Sequence, residues 1–325
     1  MHFMYHTFSF LQIKFIVMLR IYLLAFGALL LIVQQFLFPI SNQTQFIFFL
    51  SGIITLGIPH GAADLLVATE NKSEKSFSKI KFFVVYLGRL LAFALTLWFF
   101  PLIGNILFMI IAGYHFGETD LNKFKTDTFI GKLFVTSYGL LILSVILINH
   151  FEEVKPIFAV FKSGEENVTI INWIDENRKL IMSISGIFFF TTTFIYFLSN
   201  RVNNEYDEGK FLIQFALLLV LLYSMPLLLG FSFYFILWHS VLSLKNIVTY
   251  LINKNNPVKQ IVKQISIYSF LAVFGIAIFG YSAFMYMNNN EAMAGYIFLG
   301  LAVLTAPHME VMHEMYNKIR QKQTT

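Results

Sequence analysis

Long apolar stretches separated by short polar loops dominate the chain. A helix needs about 20 residues, at a rise of about 1.5 Å each, to cross the hydrocarbon core of a bilayer. About ten stretches predict such spans, near residues 17–39, 46–69, 80–100, 102–118, 129–149, 180–199, 211–229, 231–252, 265–287 and 292–314. Tight helical hairpins are expected at Pro101 and at Gly230. The pattern predicts an all-α, polytopic transmembrane helix bundle, with a single integral-membrane domain over residues 1–325.

Basic residues give this bundle an orientation. Lys and Arg occur in every second loop and in the C-terminal tail, whereas the loops at 40–45, 101, 230 and 288–291 have none. The positive-inside rule then predicts an even number of spans with both termini cytoplasmic. Lys14 and Arg20 precede an apolar run without a small-residue cleavage site. This predicts a retained first span in the cell inner membrane, not a removed signal peptide.

One loop, at about 150–179, mixes acids and bases on the outer side of this topology. Apolar residues are interspersed with its charges, which is typical of short helices that lie on the membrane surface. We therefore predict surface helices there and not another span.

Composition agrees with a membrane protein. Of the 325 residues, 57% are hydrophobic and only 13% are charged, whereas soluble domains carry about 25% charged residues. The net charge of +5 resides in short loops, which indicates topology and excludes a nucleic-acid surface. Cysteine is absent, so a metal site would have to use imidazole and oxygen ligands.

Four histidines lie deep inside predicted spans: His60, His115, His239 and His308. A charged side chain at the centre of a spanning helix costs about 2.5–3.5 kcal/mol, so ionisable residues rarely occur there without a function. The four spans all run from outside to inside, at depths compatible with one layer. Since imidazole is the commonest protein ligand of transition metals, we predict a metal site inside the bundle.

Two of these histidines have an acid on the same helix face. Asp64 follows His60 by one turn, and Glu118 follows His115 by three residues. Each acid is a candidate partner that orients the imidazole from outside the metal's ligand shell. The alternatives are a polar pair that joins two helices for His60 and Asp64, and a solvated helix end for His115 and Glu118.

The other histidines have weaker local support. His239 has no acid nearby, and a hydrogen bond between helices is its alternative interpretation. His313 follows His308 by five residues, which rotates it off that face, so we predict an interfacial position. No function is assigned to His2, His6 and His150, which lie at segment ends.

The sequence around the histidines resembles the Brp/Blh family of bacterial and archaeal membrane β-carotene 15,15′-dioxygenases. The matching motifs are Pro59-His60-Gly61 with Asp64, Tyr114-His115-Phe116-Gly117 with Asp120, Trp238-His239-Ser240, and Pro307-His308. The resemblance spans roughly residues 50 to 315 and rests on the order and context of the four motifs together. Asp120 thereby becomes a further candidate outer-shell residue.

The resemblance implies a non-haem Fe(2+) held by histidines, with membrane-dissolved β-carotene and O2 as substrates. Cleavage at the central double bond would give two all-trans retinal, which implies a functional link to a retinal-binding rhodopsin. His60, His115 and His239 match positions that the family uses as iron ligands. The family pattern has a second histidine one turn after the Trp-His pair, where this chain has Ser243. His308 is therefore the candidate fourth ligand, with an acid or water as the alternative.

Two other functions fit the same residues at this point. Histidines on neighbouring spans form the axial pairs of b-haem electron-transfer proteins, for which a Soret band would be diagnostic. Pairs of His and Asp also act as relays in membrane transporters. Against a transporter, the chain has no clear inverted repeat and few acids deep in its spans.

Overall fold

The computed structural model describes residues 18–71, 78–159, 165–200, 208–286 and 290–324, where all regular secondary structure is helical. In these ranges the chain forms twelve helices: α1 (Met18–Leu37), α2 (Asn42–Asn71), α3 (Lys79–Phe99), α4 (Pro101–Asp120), α5 (Phe129–Ile148), α6 (Phe151–Ala159), α7 (Glu165–Glu176), α8 (Arg178–Asn200), α9 (Glu208–Ser224), α10 (Leu227–Ile252), α11 (Val258–Tyr286) and α12 (Asn290–Thr324).

Seven of the described helices are long and apolar enough to cross a membrane: α1, α2, α3, α5, α8, α10 and α11. Each coincides with a predicted span, so the all-helical architecture is confirmed and is compatible with a membrane protein. The other three predicted spans lie on α4, α9 and α12, and the count of ten stays a prediction. Lys14, His2, His6 and the basic loops within 72–77 and 201–207 lie outside the described residues, and the orientation is likewise untested.

Capping residues set the starts of several helices. The side chains of Ser41, Ser78 and Thr128 accept hydrogen bonds from backbone N–H groups in the first turns of α2, α3 and α5. Pro101 is the first residue of α4, where its missing N–H removes no helical hydrogen bond. The predicted hairpin between α3 and α4 therefore turns at Phe100.

The predicted break at Gly230 is wrong by about one helical turn. α9 ends at Ser224, and α10 begins after Pro226, whose backbone is extended. Proline restricts the residue before it to extended conformations, so the helix ends there. Gly230 lies inside α10 and donates its N–H to the Pro226 carbonyl.

The segment at 150–179 forms the two predicted short helices, α6 and α7. Ile171 and Ile174 of α7 pack against the main hydrophobic core. Asp175 forms ion pairs with Lys155 of α6 and with Arg178 at the start of α8. The helices are thus attached to the bundle, and their position on a membrane surface stays a prediction.

Small residues bring α4 and α5 into close contact. A Cβ atom added at Gly139 would lie 1.8 Å from the Gly113 carbonyl oxygen, and one at Gly117 would lie 2.0 Å from the Val135 carbonyl oxygen. No side chain fits in these places, so the glycines permit the two backbones to touch. The contact fixes α4 against the largest hydrophobic core of the protein.

Candidate metal centre

The four intramembrane histidines converge from four helices. His60 of α2, His115 of α4, His239 of α10 and His308 of α12 form a closed ring of neighbours. The imidazole centroids lie 5.4 Å apart for His60 and His239, 4.9 Å for His239 and His115, 5.0 Å for His115 and His308, and 5.0 Å for His308 and His60. We call these residues the histidine cluster.

All four rings of the histidine cluster are buried, and most of their nitrogens lack a hydrogen-bond partner. Both ring nitrogens of His115 and of His239, Nδ1 of His60 and Nε2 of His308 have none. A buried polar atom without a partner costs about 1–3 kcal/mol, so such a concentration is rare in a protein interior. It indicates that another species completes the site.

The nitrogen positions fit a single metal ion. One ligand atom from each of His60, His115 and His239 lies within 4.8 Å of the others. Two imidazole nitrogens bound to one ion at about 2.1 Å each stand at most about 4.2 Å apart, so binding requires side-chain shifts below about 1 Å. The donor set is neutral imidazole, which suits iron, copper, zinc and nickel.

Irregular helical turns carry two of the four cluster histidines. A π-helical stretch, Ile53–Gly57, directly precedes the turn that holds His60, and a second one, Phe233–Ser240, contains His239. In a π-helical turn the backbone hydrogen bonds span five residues instead of four, and such turns occur often at functional sites. They rotate the side chains away from regular helical spacing, which the sequence pattern did not indicate.

Asp64 contacts a different histidine from the one expected. Its Oδ1 lies 2.7 Å from Nδ1 of His308, and its Oδ2 accepts a 2.9 Å hydrogen bond from the Tyr86 hydroxyl. Nδ1 of His60 remains without a partner. A carboxylate at Nδ1 keeps the proton there and leaves Nε2 of His308 free to bind a metal. The expected pairing of Asp64 with His60 is therefore corrected to a pairing with His308.

Glu118 lies one turn after His115 but contacts other residues. Its Oε1 is 2.8 Å from Nδ1 of His313 and 2.9 Å from Nη2 of Arg320. Arg320 also pairs with Asp127 through Nε at 2.8 Å. Glu118 therefore joins the end of α4 to the C-terminal part of α12. It does not bond a ring of the histidine cluster, and both ring nitrogens of His115 are without a partner.

Asp120 organises a second polar group near the cluster. Its Oδ2 accepts hydrogen bonds from Tyr138 at 2.9 Å, from Trp238 at 3.0 Å and from Tyr234 at 3.4 Å. Trp238 directly precedes His239, so Asp120 positions the backbone of a cluster residue and not its ring. The Asp120 carbonyl also accepts a hydrogen bond from Arg20.

The remaining predicted positions lie outside the cluster's ligand set. Ser243 is fully buried one turn after His239, and its hydroxyl has no partner. His313 is bonded to Glu118, as expected of a residue turned away from His308. His150 is bonded to the Ile146 carbonyl. The contacts of Tyr86 and Arg320 were not predicted, because in the sequence Tyr86 is one of several aromatic residues of a span and Arg320 is one basic residue of the C-terminal tail.

Aromatic side chains cover one side of the cluster. The ring centroid of Phe116 lies 4.7 Å from that of His239, and Phe235 lies 6.0 Å from His239 and 6.1 Å from His60. These rings exclude water and provide an apolar surface directly beside the unpartnered nitrogens.

Comparison with known families agrees with this geometry. The sequence model of the family described as beta-carotene 15,15′-dioxygenase matches residues 51–316, which contain all four histidines. No curated protein and no solved structure matches the chain. The match covers most of the chain and confirms the resemblance of its histidine motifs, so this protein belongs to the β-carotene 15,15′-dioxygenase family.

Proposed function

We propose that the protein is an iron-dependent dioxygenase that cleaves β-carotene at its central 15,15′ double bond and forms two all-trans retinal. Fe(2+) would be held by His60, His115, His239 and His308. The observation that carries the proposal is the histidine cluster itself: its four buried rings have nitrogens without a partner, and ligand atoms of His60, His115 and His239 lie within 4.8 Å of one another.

The chain's own residues would bind and position the reactants. When bound, ferrous iron supplies the one-electron chemistry through which O2 reacts with a hydrocarbon. The four neutral imidazoles hold the ion without cancelling its charge, and Asp64 keeps the proton of His308 on Nδ1. No side-chain nucleophile is needed, since the two oxygen atoms of the products balance one O2.

The apolar surface of Phe116 and Phe235 would hold the polyene beside the cluster. β-Carotene dissolves in lipid and not in water, so a site at bilayer depth is reached laterally from the membrane. Selection of the central bond would then depend on the length of the binding tunnel on each side of the metal, which is a positioning effect. The products would supply a retinal-binding rhodopsin.

The wider setting is part of the same proposal. Residues 1–325 would form one integral-membrane domain of about ten spans in the cell inner membrane, with both termini in the cytoplasm. The seven long apolar helices and the basic loops of the sequence support this topology.

The arrangement of the rings favours a mononuclear metal over haem. In a bis-histidine haem, two imidazoles stand on opposite faces of a porphyrin disc. Here each ring has two neighbouring histidine rings at 4.9–5.4 Å. If two opposite rings of the cluster were axial haem ligands, the other two rings would occupy the plane that the porphyrin needs.

Expression in a β-carotene-producing bacterium tests the function directly. The cells should lose their orange colour and accumulate all-trans retinal, measured by chromatography of extracts. Cells that stay orange while the protein is abundant in their membranes would contradict the proposal, and a Soret band in the purified protein would favour haem instead.

Single alanine variants test the ligand set. Alanine at His60, His115 or His239 should abolish retinal formation and bound iron together, whereas His150→Ala, outside the cluster, should retain both. If His308→Ala keeps full activity and iron, the fourth ligand is another group.

A further inference from the structure

An exposed ion pair joins α3 to α12 at positions inside two predicted spans. Nη1 of Arg89 is 2.5 Å from Oε2 of Glu310, and the two side chains are 48% and 40% exposed. Arg89 is the eleventh of the 21 residues of α3, and Glu310 follows His308 by two residues on α12. Among the ion pairs of the described residues, this is the one in which both partners lie inside predicted spans and both side chains are exposed.

Such a pair is costly where hydrocarbon surrounds the protein. Charged residues inside membrane spans almost always face the bundle interior or a water-filled cavity, and they commonly mark the pathways of substrates. In two other ion pairs that involve a predicted span, both side chains are covered by the protein: Glu118 and Arg320 are 0% and 5% exposed, and His308 and Asp64 are 7% and 5% exposed. In a third, His313 is 35% exposed, but its partner Glu118 is 0% exposed. The exposed pair of Arg89 and Glu310 is therefore accessible to a ligand, whereas the covered pairs are internal contacts between helices.

The exposed pair adjoins the histidine cluster through α3. On α3, Tyr86 lies one turn before Arg89 and donates its hydroxyl to Asp64, which holds His308. On α12, Glu310 follows His308 by two residues, so its side chain leaves the other side of that helix and meets Arg89 of α3. A molecule that leaves the cluster between α3 and α12 would pass Arg89 and Glu310.

Substrate and product differ in the one property that an arginine recognises. β-Carotene is a hydrocarbon and has no hydrogen-bond acceptor, whereas each cleavage product carries an aldehyde oxygen. The guanidinium group has five N–H donors in a fixed fork, so it can pair with Glu310 and still donate to a carbonyl oxygen.

We propose that Arg89 and Glu310 form a polar product portal between α3 and α12, in which Arg89 donates hydrogen bonds to the aldehyde oxygen of retinal as it leaves for the lipid. Glu310 keeps the guanidinium in place while the portal is empty. The identity of the product rests on the proposed function. The ligand that the portal would recognise is an apolar molecule with one polar end that carries an oxygen atom.

Equilibrium binding to the purified protein in lipid nanodiscs, without added metal, tests the portal separately from catalysis. All-trans-retinal and β-carotene are titrated in turn, and the quenching of tryptophan fluorescence is followed. The double variant Arg89→Met/Glu310→Gln removes both charges and leaves no unpaired one. Its retinal affinity should fall about tenfold or more, the scale of one hydrogen bond from a charged donor, while its β-carotene affinity stays unchanged.

Two further variants keep the result interpretable. Arg89→Lys preserves a charged donor and should lose less retinal affinity than the double variant. Lys155→Met/Asp175→Asn removes an ion pair between α6 and α7 and should change neither affinity. Unchanged retinal binding in the double variant, or an equal loss for both ligands, would overturn the portal.

The portal and the proposed function fail in different ways. If cells expressing the wild-type protein stay orange but its retinal affinity depends on Arg89, the portal stands and the proposed reaction fails. If the wild-type protein bleaches the cells and its retinal affinity is indifferent to Arg89, the reaction stands and the portal fails.

Discussion

Two buried polar regions lie next to each other on α4, and they differ in what satisfies them. His115 has two buried ring nitrogens without a partner, whereas Asp120, less than two turns later, accepts three hydrogen bonds from aromatic side chains and Glu118 contacts His313 and Arg320. In the second region, Glu118 Oε2 and Asp120 Oδ1 also lack a partner, but the other oxygen of each carboxylate is bonded. The first has no such contact for either ring nitrogen of His115, which is typical of a binding site.

The difference separates chemistry from architecture within one helix. Unpartnered nitrogens that converge from four helices indicate a binding site, because burial without partners is otherwise selected against. The carboxylates of Glu118 and Asp120 instead join α4 to α12 and to α5 and α10. Substitutions in the two regions should therefore have opposite consequences for metal binding and for stability.

The largest effect is expected from His115→Ala. Loss of a candidate ligand should reduce bound iron and retinal formation more than about 100-fold. Compared with the metal-free wild type, the variant loses the packing of one buried ring but no hydrogen bond or ion pair, so its thermal unfolding temperature should fall only modestly. Metal analysis, product chromatography and thermal unfolding in detergent provide the measurements. Iron retained at full stoichiometry would show that His115 belongs to the architectural region.

Arg320→Met should have the converse effect. Removing the guanidinium leaves the buried carboxylate of Glu118 without its main ionic partner, and breaking a buried ion pair costs about 3–5 kcal/mol. The free energy of unfolding should fall by this amount, while the iron content of the folded fraction stays unchanged. The double variant Glu118→Gln/Arg320→Met should recover part of the loss, and a double variant as unstable as the single one would contradict the pairing.

Asp64→Asn tests the one carboxylate that bonds a cluster ring. Loss of the negative charge at Nδ1 of His308 should weaken metal affinity about 10- to 100-fold, the effect typical of a residue that orients a ligand. Competition with a chelator measures the affinity. Tyr86→Phe, which removes only the hydrogen bond to Asp64, should have a smaller effect in the same direction, and an equal effect would assign the role to the tyrosine.

Ser243→Ala is expected to have the smallest effect. Its hydroxyl is buried without a partner, so its removal should leave iron binding unchanged and should raise the free energy of unfolding by up to about 1 kcal/mol. Chemical denaturation and metal analysis measure the two quantities. A loss of iron in this variant would place Ser243 in the ligand set at the expense of His308.

Much of the site could be predicted from the sequence, because its strongest signal is local. A histidine in an apolar span is conspicuous without knowledge of the fold, and four such spans running in the same direction place their histidines at similar depth. The helix boundaries at Ser78 and Pro101 follow equally from local chemistry. Each of these inferences depends on residues less than one span apart.

The outer contacts could not be predicted, because they join distant parts of the chain. Asp64 lies on the same helix face as His60, yet its partner is His308, 244 residues away. Arg20 before the first apolar run and Arg320 in the C-terminal tail are typical of charges that flank a bundle, yet only 6% and 4% of their surfaces are exposed. Arg20 donates to the backbone carbonyl of Asp120, and Arg320 donates to the carboxylate of Glu118. Hydropathy does not indicate whether such long side chains turn toward water or toward the interior.

X-ray absorption at the iron edge of the purified protein tests whether the four histidines bind one iron ion. We expect one iron per chain with four imidazole nitrogens at about 2.1 Å, close to the zinc–imidazole distance, and loss of this signal in His115→Ala. An iron shell composed mainly of oxygen ligands, a porphyrin signature, or no iron in active protein would contradict it.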